Sequence, residues 1–401
     1  MRVLFVNHTA VVSGGEVSLI RLAEGLRTHD GVSVAVACPS DRRLAELVDH
    51  AGIERHAVPA FEASLRLHAL RTPVALVRLA ASGVAVARLA RRWGADLLAA
   101  NSLRAGLMGA IARRLGGPPM VVRAHEHLPL TPVGRAVRAV LIHSASAVVA
   151  VSGDAARRLN EGLEGDVVSF VHNSIDHERF DPERVTPAPI RRELGLDEQT
   201  ALIGHVAQIT PWKGQDTAIR ALAELRRAGL DVHLLLIGDV EFEGSAVRYD
   251  NRAILGHLHE LVERLGVRDA VHFLGRRSDV PELLPALDLS LVPSWNEPFG
   301  LVTVESMAMR TPPLVSDVGG GPELVEDGVS GRLLAPNRPK AWAQAAAALL
   351  SDRGALADMG ERAQAAAGRF SDEEQAREML AMYERVLADS PRRRAADEVL
   401  P

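Results

Sequence analysis

The sequence predicts an α/β fold with two Rossmann-like domains, each a doubly wound parallel sheet. The 401 residues suffice for two domains of ordinary size. In both halves, short apolar runs alternate with segments of helical periodicity, as in βαβ units. Between the halves this alternation lapses into a polar, proline-containing stretch typical of a linker. We predict a first domain over residues 1–178, a second over 179–371, and a C-terminal helix with a frayed tail over 372–401 that returns to the first domain.

The first domain is predicted from five apolar runs of strand length. They are Arg2–Val6, Val32–Ala37, Asp96–Ala100, Met120–Arg123 and Ala147–Val151. Segments with apolar residues three and four positions apart separate them, and these are Glu16–Arg27, Pro73–Arg92, Ser102–Arg114 and Val133–His143. Strands that alternate with helices in this way predict a parallel sheet covered by helices.

The second domain repeats the pattern. Its predicted strands are Ala201–Val206, Val232–Ile237, Val271–Leu274, Leu287–Val292 and Pro313–Val315. From Lys340 onward the sequence shows helical periodicity and no further strand pattern. The segment Asp372–Leu387 is long enough to cross back onto the first domain.

Composition excludes several classes of protein. A hydrophobic fraction of 47% and a charged fraction of 24% are those of a globular chain, not a disordered one. The single cysteine, Cys38, excludes an internal disulfide and a cysteine zinc cluster. No window offers the ~18 uninterrupted apolar residues of a spanning helix, and the first apolar run is too short for a secretion signal. A cytoplasmic protein, soluble or peripheral at the inner membrane face, is predicted.

The charge of the chain is unevenly distributed. The net charge is −5, yet residues 63–153 contain twelve arginines and only two acids, Asp96 and Glu126. Such a block favours an anionic acceptor or a membrane surface, while a solvated, arginine-rich helix face with a neutral acceptor stays open. Overall acidity and an aromatic fraction of 3% argue against nucleic acid as a partner.

Three loops carry residues suited to a phosphorylated sugar ligand. The first, Ser13-Gly14-Gly15-Glu16, lacks the dinucleotide fingerprint, but its two glycines allow main-chain amides to approach an anion at a helix start. A plain tight turn between strand and helix is the alternative. In the second, Lys213 is one of only two lysines and stands at a junction between loop and helix, where it can follow a diphosphate. A solvated loop lysine is its alternative.

The third loop is Ser294-Trp295-Asn296-Glu297-Pro298-Phe299-Gly300, followed by a helix that carries Glu305. It lies at the carboxyl end of a strand, where open α/β sheets bind ligands. A carboxylate in the loop and one on the helix can serve two parts of one elongated ligand, with Glu305 accepting from vicinal hydroxyls such as those of a ribose. A loop acid with a salt-bridged helix acid is the alternative.

Together the segment from Glu297 to Glu305, Lys213-Gly214, the glycine-rich run 317–323 and Gly328-Val329-Ser330-Gly331 resemble the nucleotide-sugar-dependent glycosyltransferases of family 4, which have the GT-B fold. The likeness spans nearly the whole chain. It implies donor binding by the second domain, acceptor binding by the first, and transfer in the cleft between them with retention of anomeric configuration. No metal and no cofactor is implied; the donor is a nucleoside-diphosphate sugar of the UDP or GDP type.

The resemblance also implies roles for single residues. In the second domain Glu297 contacts sugar hydroxyls, Glu305 contacts the ribose, and Lys213 neutralises the diphosphate. The remaining donor contacts that it implies are the amides of Gly300, Leu301 and Val302, the backbone near Arg276 against the base, and the loop of Gly14 and Gly15 against the diphosphate. His125, in Arg123-Ala124-His125-Glu126, matches a histidine beside the transferred sugar. Glu297, Lys213 and His125 are the predicted catalytic residues.

One position departs from the family pattern. Gln208 stands five residues before Lys213, where an arginine is usual, so the predicted diphosphate site has lost a formal charge. Either Arg276 replaces it, or the leaving group is held differently, or the protein is a degenerate, non-catalytic binder of sugar nucleotides. A GT-B epimerase or phosphorylase is the nearest enzymatic alternative to a transferase.

Overall fold

The computed structural model describes residues 1–40, 43–61, 71–129, 131–197, 199–241 and 249–390, with Arg71 described by its backbone alone. The chain divides into two compact units. The first combines Met1–Ser174 with the segment from Asp372 onward, and the second is Ile175–Ser371. The division falls shortly before the predicted boundary at residue 178, and the Ile175 amide donates to the Phe370 carbonyl (3.0 Å) within the second unit. The predicted tail beyond residue 390 lies outside the described residues.

The first unit is a parallel sheet with helices on both faces. Its strands are β1 (Arg2–Val6), β2 (Ser33–Cys38), β3 (Glu54–Ala57), β4 (Leu97–Ala100), β5 (Met120–Ala124), β6 (Ala147–Ala150) and β7 (Val168–Phe170). Its helices are α1 (Gly14–Arg27), α2 (Arg43–His50), α3 (Arg71–Trp93), α4 (Leu103–Arg114), α5 (Pro132–Ser144), α6 (Gly153–Asn160) and, from the end of the chain, α15 (Asp372–Ala388). The strand order is β3-β2-β1-β4-β5-β6-β7, so the sheet reverses direction of growth between β1 and β4.

Alternation along β1 builds a core on each face of this sheet. Leu4 and Val6 face a cluster that includes residues of α3 and α4, and Val3 and Phe5 face a second cluster with residues of α1 and α15. Helix α15 packs closely on α1: a Cβ on Gly25 would lie 2.9 Å from the Cβ of Ala376. The last helix is therefore part of the first unit.

The second unit repeats the architecture with a smaller sheet. Its strands are β8 (Ala201–Val206), β9 (Val232–Ile237), β10 (Val271–Gly275), β11 (Leu289–Val292), β12 (Pro313–Ser316) and β13 (Arg332–Leu334). Its helices are α7 (Ile190–Glu193), α8 (Gln215–Arg227), α9 (Asn251–Leu265), α10 (Val280–Leu283), α11 (Leu301–Ala308), α12 (Gly321–Leu324), α13 (Pro339–Leu350) and α14 (Arg353–Ala367). The strand order is β10-β9-β8-β11-β12-β13, and every pair is parallel.

Helix α3 is long and apolar, although arginines interrupt its apolar run. Over Thr72–Trp93 it is long and apolar enough to span a membrane, with a mean hydropathy of 1.5 in its most apolar eighteen-residue window. Arg78 and Arg88 are the only charged residues from Thr72 to Ala90, so such a window contains two charges at most. The hydropathy describes only the length and composition of this helix. In the structure α3 connects β3 to β4, two strands of one sheet, and its second half contributes to the core.

Candidate active site

The strand order of the second unit reverses between β8 and β11, and two predicted residues follow these two strands. Open α/β sheets bind ligands beyond the carboxyl ends of the strands at such a reversal. Lys213 lies in the loop after β8, and Glu297 in the loop after β11. The topology therefore brings both to one place in the unit.

Lys213 and Glu297 form an ion pair, with Lys213 Nζ donating to Glu297 Oε2 across 2.6 Å. The Ser294 hydroxyl donates to the same oxygen at 3.0 Å. The exposed fractions of the two side chains are 19% and 14%, so the pair is largely removed from water. Each charge thus offsets part of the desolvation of the other, which is unfavourable for a lone buried charge.

The helix after Glu297 offers free main-chain donors. Gly300 is the N-cap of α11 with φ 109° and ψ 58°, a left-handed conformation that side chains disfavour. Its carbonyl accepts from the Thr303 and Val304 amides (3.0 and 3.4 Å). The amides of Leu301 and Val302 precede these, and the first amides of a helix have no acceptor within it. They are available to an anion or a sugar oxygen.

A glycine-rich turn fixes the position of the Glu297 loop. The Gly320 amide donates to the Glu297 carbonyl at 3.0 Å. A Cβ on Gly319 would lie 2.0 Å from that same oxygen, and Gly319 has a φ of +61°. Only glycine allows this approach of two backbones, which gives the run 317–323 a physical role.

The other predicted donor residues belong to different elements of the same unit. Glu305 is half-buried on α11, and Arg276 follows β10. Arg276 pairs with Glu241 at 2.9 Å, so a carboxylate engages the arginine suggested as a replacement for the missing charge. Gln208 is half-buried, and its carbonyl accepts from the side chain of Gln215 at 2.9 Å.

His205 is a residue of this site that was not predicted. This buried residue of β8 donates from Nδ1 to the Leu291 carbonyl of β11 at 2.7 Å, across the point where the strand order reverses. Burial lowers its pKa to about 4, and the nearby Lys213 adds to the effect. Within the described residues its Nε2 has no hydrogen-bond partner. A single histidine inside an apolar strand was the signal available in the sequence.

In the first unit the strand order reverses between β1 and β4, and the glycine loop follows β1. Gly14 and Gly15 begin α1. Asn101, the residue after β4, donates from Nδ2 to the Gly15 carbonyl (3.0 Å) and to Asn7 Oδ1 (3.2 Å). Asn7 and Asn101 were not predicted. Both directly follow a central strand, which was the signal that the sequence offered.

His125 follows β5 and joins this network. Its Nε2 lies 3.1 Å from Asn101 Oδ1, an oxygen that only accepts, so Nε2 carries the proton. Its ring packs against Gly15, where a Cβ would lie 3.5 Å from His125 Cγ. Burial and the neighbouring Arg123 hold the pKa of His125 well below its usual value. The structure therefore brings together two predicted features, the glycine loop and His125, and the low pKa keeps this histidine neutral.

An ion pair lies next to this histidine. Arg104, near the start of α4, donates from Nη1 to both carboxylate oxygens of Glu126 at 2.9 and 3.0 Å. His8 bonds through Nδ1 with the Ser102 hydroxyl at 2.9 Å, and burial together with Arg104 lowers the pKa of His8 to about 3. Polar groups that surround a neutral histidine at the carboxyl edge of a sheet suit the binding of a hydroxylated ligand.

Comparison with known proteins gives the two units their family. The profile described as "Glycosyl transferases group 1" matches residues 188–366, and that described as "Glycosyltransferase Family 4" matches residues 12–179. The D-inositol 3-phosphate glycosyltransferase of Nocardia farcinica is 33% identical over 310 residues, which are 73% of this chain and 67% of that protein. The chain belongs to glycosyltransferase family 4. A second relative of the same name, from Salinispora arenicola, is 32% identical over 77% of this chain and 72% of its own.

Solved structures agree with this assignment of a glycosyltransferase. HepE from Anabaena, in a crystal structure with UDP and glucose, has a TM-score of 0.80 and 26% identity over 96% of this chain and 99% of its own. Sucrose-phosphate synthase from Thermosynechococcus elongatus, at 20% identity and a TM-score of 0.78, shares the fold over 97% of this chain and 100% of its own. The predicted GT-B fold of this glycosyltransferase is thereby confirmed.

Proposed function

We propose that this glycosyltransferase moves a sugar from a nucleoside-diphosphate donor to an acceptor hydroxyl with retention of anomeric configuration. The observation that carries the proposal is the Lys213–Glu297 pair beside the first amides of α11. One cation, one carboxylate and a set of free N–H groups match a diphosphate joined to a sugar that is rich in hydroxyls.

In the proposed mechanism Lys213 exchanges Glu297 for the donor diphosphate. Its ammonium then neutralises the charge that develops as the diphosphate leaves, while the freed Glu297 accepts from sugar hydroxyls. Oriented donors of this kind are worth about 3–4 kcal/mol each in other enzymes. The amides of Gly300, Leu301 and Val302 hold the sugar and the diphosphate. The departing diphosphate takes the acceptor proton, so the chain needs no base of its own.

We assign the neutral His125 to the transferred sugar. Asn101 fixes its ring through Nε2, and the low pKa keeps the imidazole uncharged at neutral pH. An uncharged histidine orients a hydroxyl through hydrogen bonding and does not compete with Lys213 for the diphosphate. The loop of Gly14 and Gly15, on which the His125 ring packs, faces the diphosphate in this proposal.

Uridine is the base that we favour, with guanosine as the alternative. The support is the HepE complexes, which contain UDP and UDP-glucose. Glu305 binds the ribose in this proposal, and the backbone near Arg276 lies against the base.

For the acceptor we favour a small hydroxylated molecule with an anionic group. Two relatives bear the name D-inositol 3-phosphate glycosyltransferase, and residues 63–153 carry twelve arginines against two acids. Arg104 is the arginine that we assign to the acceptor anion, which replaces the carboxylate of Glu126. Transfer without metal or cofactor, in the cytoplasm, completes the proposal.

Two measurements test this function. Thermal shift against uridine, guanosine and adenosine diphosphates should single out one base, because a ligand that binds only the native state stabilises it. Incubation with the matching sugar nucleotide and candidate acceptors should then give a transfer product whose anomeric configuration, read by NMR, equals that of the donor. Arg220→Gln, an exposed substitution on α8, is the control.

Other outcomes contradict the proposal in different ways. Donor binding with neither transfer nor slow donor hydrolysis would identify a non-catalytic binder, as Gln208 suggests. Interconversion of sugar nucleotides without transfer would identify an epimerase. Turnover that depends on inorganic phosphate would identify a phosphorylase, and an inverted product would exclude the retaining mechanism.

A further inference from the structure

Helix α3 presents an apolar and basic outer face to solvent. Val74 and Val77 are 52% and 69% exposed, and their spacing of three residues puts them on the same side of the helix. About 33% of the most apolar window of α3 is buried, so much of this apolar segment lies outside the core. Exposed apolar side chains that cluster in this way mark an interaction surface.

Arginines complete this outer face. Arg78, Arg88 and Arg92 are exposed, and none of them pairs with a carboxylate of the described residues. Helix α3 itself contains no Asp and no Glu. Successive helix residues are about 100° apart, so Val74, Val77 and these three arginines lie on one side of α3, which we call its outer face. This outer face is apolar and cationic. The exposed Leu76 lies on the other side of the helix. Arg66, which the sequence placed in the same block, lies outside the described residues, as does the side chain of Arg71.

The opposite side of α3 is fixed in the first unit. Val86, Leu89, Ala90 and Trp93 are buried in the core, and Gly83 packs so closely on α4 that a Cβ there would lie 2.6 Å from the Cβ of Ile111. The helix therefore keeps its outer face outward and does not leave the sheet to cross a bilayer.

We propose that the outer face of α3 binds the surface of an anionic lipid bilayer. Apolar side chains on a helix enter the boundary between headgroups and acyl chains, and arginines beside them bind lipid phosphates. Charge decides between this partner and a second copy of the chain. A two-fold contact would bring the same face onto itself and set arginines against arginines, with no acid on α3 to offset them.

Vesicle sedimentation of the full chain tests the proposal. Binding to phosphatidylglycerol vesicles, little binding to phosphatidylcholine vesicles, and weakening at high salt are expected. Joint replacement of Val74→Ser and Val77→Ser should lower vesicle affinity by about tenfold or more. Each of Arg78→Gln, Arg88→Gln and Arg92→Gln should lower it by about fivefold, because each basic residue near an anionic surface adds about that factor.

Matched control variants distinguish binding through the outer face of α3 from nonspecific binding of the protein to vesicles. Val167→Ser replaces a valine that is 47% exposed in another part of the first unit, and Arg220→Gln replaces an exposed arginine of the second unit. Both should bind vesicles as the parent chain does. Equal losses in the controls, or no vesicle binding by the parent, would overturn the proposal.

Two further measurements complete the test. Sedimentation velocity reports the oligomeric state, and a dimer that Val77→Ser dissociates would assign the face to a second copy and overturn the lipid proposal. Donor turnover with a soluble acceptor should be unchanged in all α3 variants. Because vesicle binding and turnover are measured independently, the failure of this inference is distinguishable from failure of the proposed function.

Discussion

At the scale of single residues, Lys213 and Glu297 form an ion pair across 2.6 Å. A substitution of either residue therefore leaves the charge of the other without its partner. Lys213→Ala removes the proposed charge on the leaving diphosphate and leaves Glu297 without its cation. We expect kcat/KM for the sugar nucleotide to fall by about 10²–10³-fold, as when one transition-state donor is removed elsewhere. Steady-state kinetics measures it, with Arg220→Gln as the control. Near-normal turnover in Lys213→Ala would remove this residue from the mechanism.

Glu297→Gln tests the other partner of the pair. The substitution keeps the size of the side chain but frees Lys213 from a competing carboxylate. Affinity for the nucleoside diphosphate alone should be unchanged or higher, while kcat falls. Calorimetric titration and single-turnover assays separate the two effects. A large loss of nucleotide affinity would show that Glu297 serves the fold of the loop rather than the sugar.

Glu305→Ala is expected to give the opposite pattern. In the proposed function Glu305 accepts from ribose hydroxyls, and a hydrogen bond to a charged group is worth about 1.5–3 kcal/mol. Affinity for the nucleoside diphosphate should therefore drop by about tenfold or more, measured by calorimetry. If Glu297→Gln and Glu305→Ala lose the same nucleotide affinity, the two carboxylates do not serve separate parts of the donor.

At the scale of elements, the contact between α1 and α15 has no room for a side chain at Gly25. A Cβ there would meet the Cβ of Ala376 at 2.9 Å and the Asp372 carbonyl at 3.3 Å. Gly25→Leu should destabilise the protein by about 1–3 kcal/mol, the usual effect of overpacking. Gly256→Leu on α9 is the control, since nothing lies within 4 Å of its Cβ position. Urea unfolding compares the two variants. Equal urea midpoints would show that α15 accommodates the larger side chain without a loss of stability.

The sequence predicted the central strands of both sheets and the edge strand β10, but not the other three edge strands. Strands β3, β7 and β13 were missed because they are short and half-exposed, so the apolar run that identifies a buried strand is absent. β3 reads Glu-Arg-His-Ala, and β13 begins with Arg332. β7 lies where the periodicity seemed to lapse into a linker. Each of these three strands pairs with a single neighbouring strand, and its own sequence lacks the apolar pattern that identified β10.

The loops of the candidate site were predictable, and their partners were not. Loop glycines and a rare lysine are visible in the sequence, and the order of the strands that they follow places Lys213 near Glu297. The ion pair itself, the bond from Asn101 to Gly15 and the buried His205 each join residues far apart along the chain. Such contacts follow from strand order and register, which become known only with the fold.

At the scale of the whole molecule, histidines whose pKa values are lowered in the folded state link stability to pH. Burial lowers the pKa of His205 to about 4 and that of His8 to about 3, and it lowers the pKa values of His233 and His272, which share a contact of 2.9 Å. Below pH ~6.5 the unfolded chain binds protons that these folded sites exclude. Stability is therefore fully present above that pH and is lost as the pH falls.

The expected slope is up to about 1.4 kcal/mol per pH unit for each such histidine between pH ~6.5 and its folded pKa. Urea unfolding at pH 7 and at pH 5 measures it, and tryptophan fluorescence reports on Trp212, Trp295 and Trp342 of the second unit. His205→Gln should make the slope shallower, while His257→Gln, at an exposed position of α9, serves as the control. Identical slopes for His205→Gln and the parent would contradict this origin of acid sensitivity.

The second unit is one continuous stretch of chain whose ends meet at the bond from Ile175 to Phe370, whereas the first unit is assembled from two separated stretches. During synthesis the second unit has all of its residues before α15 is made. The first sheet meanwhile lacks the helix that supplies Met379 and Tyr383 to its core. Since domains fold as units while the chain emerges from its N-terminus, the unit that the ribosome begins first is the one that is completed last.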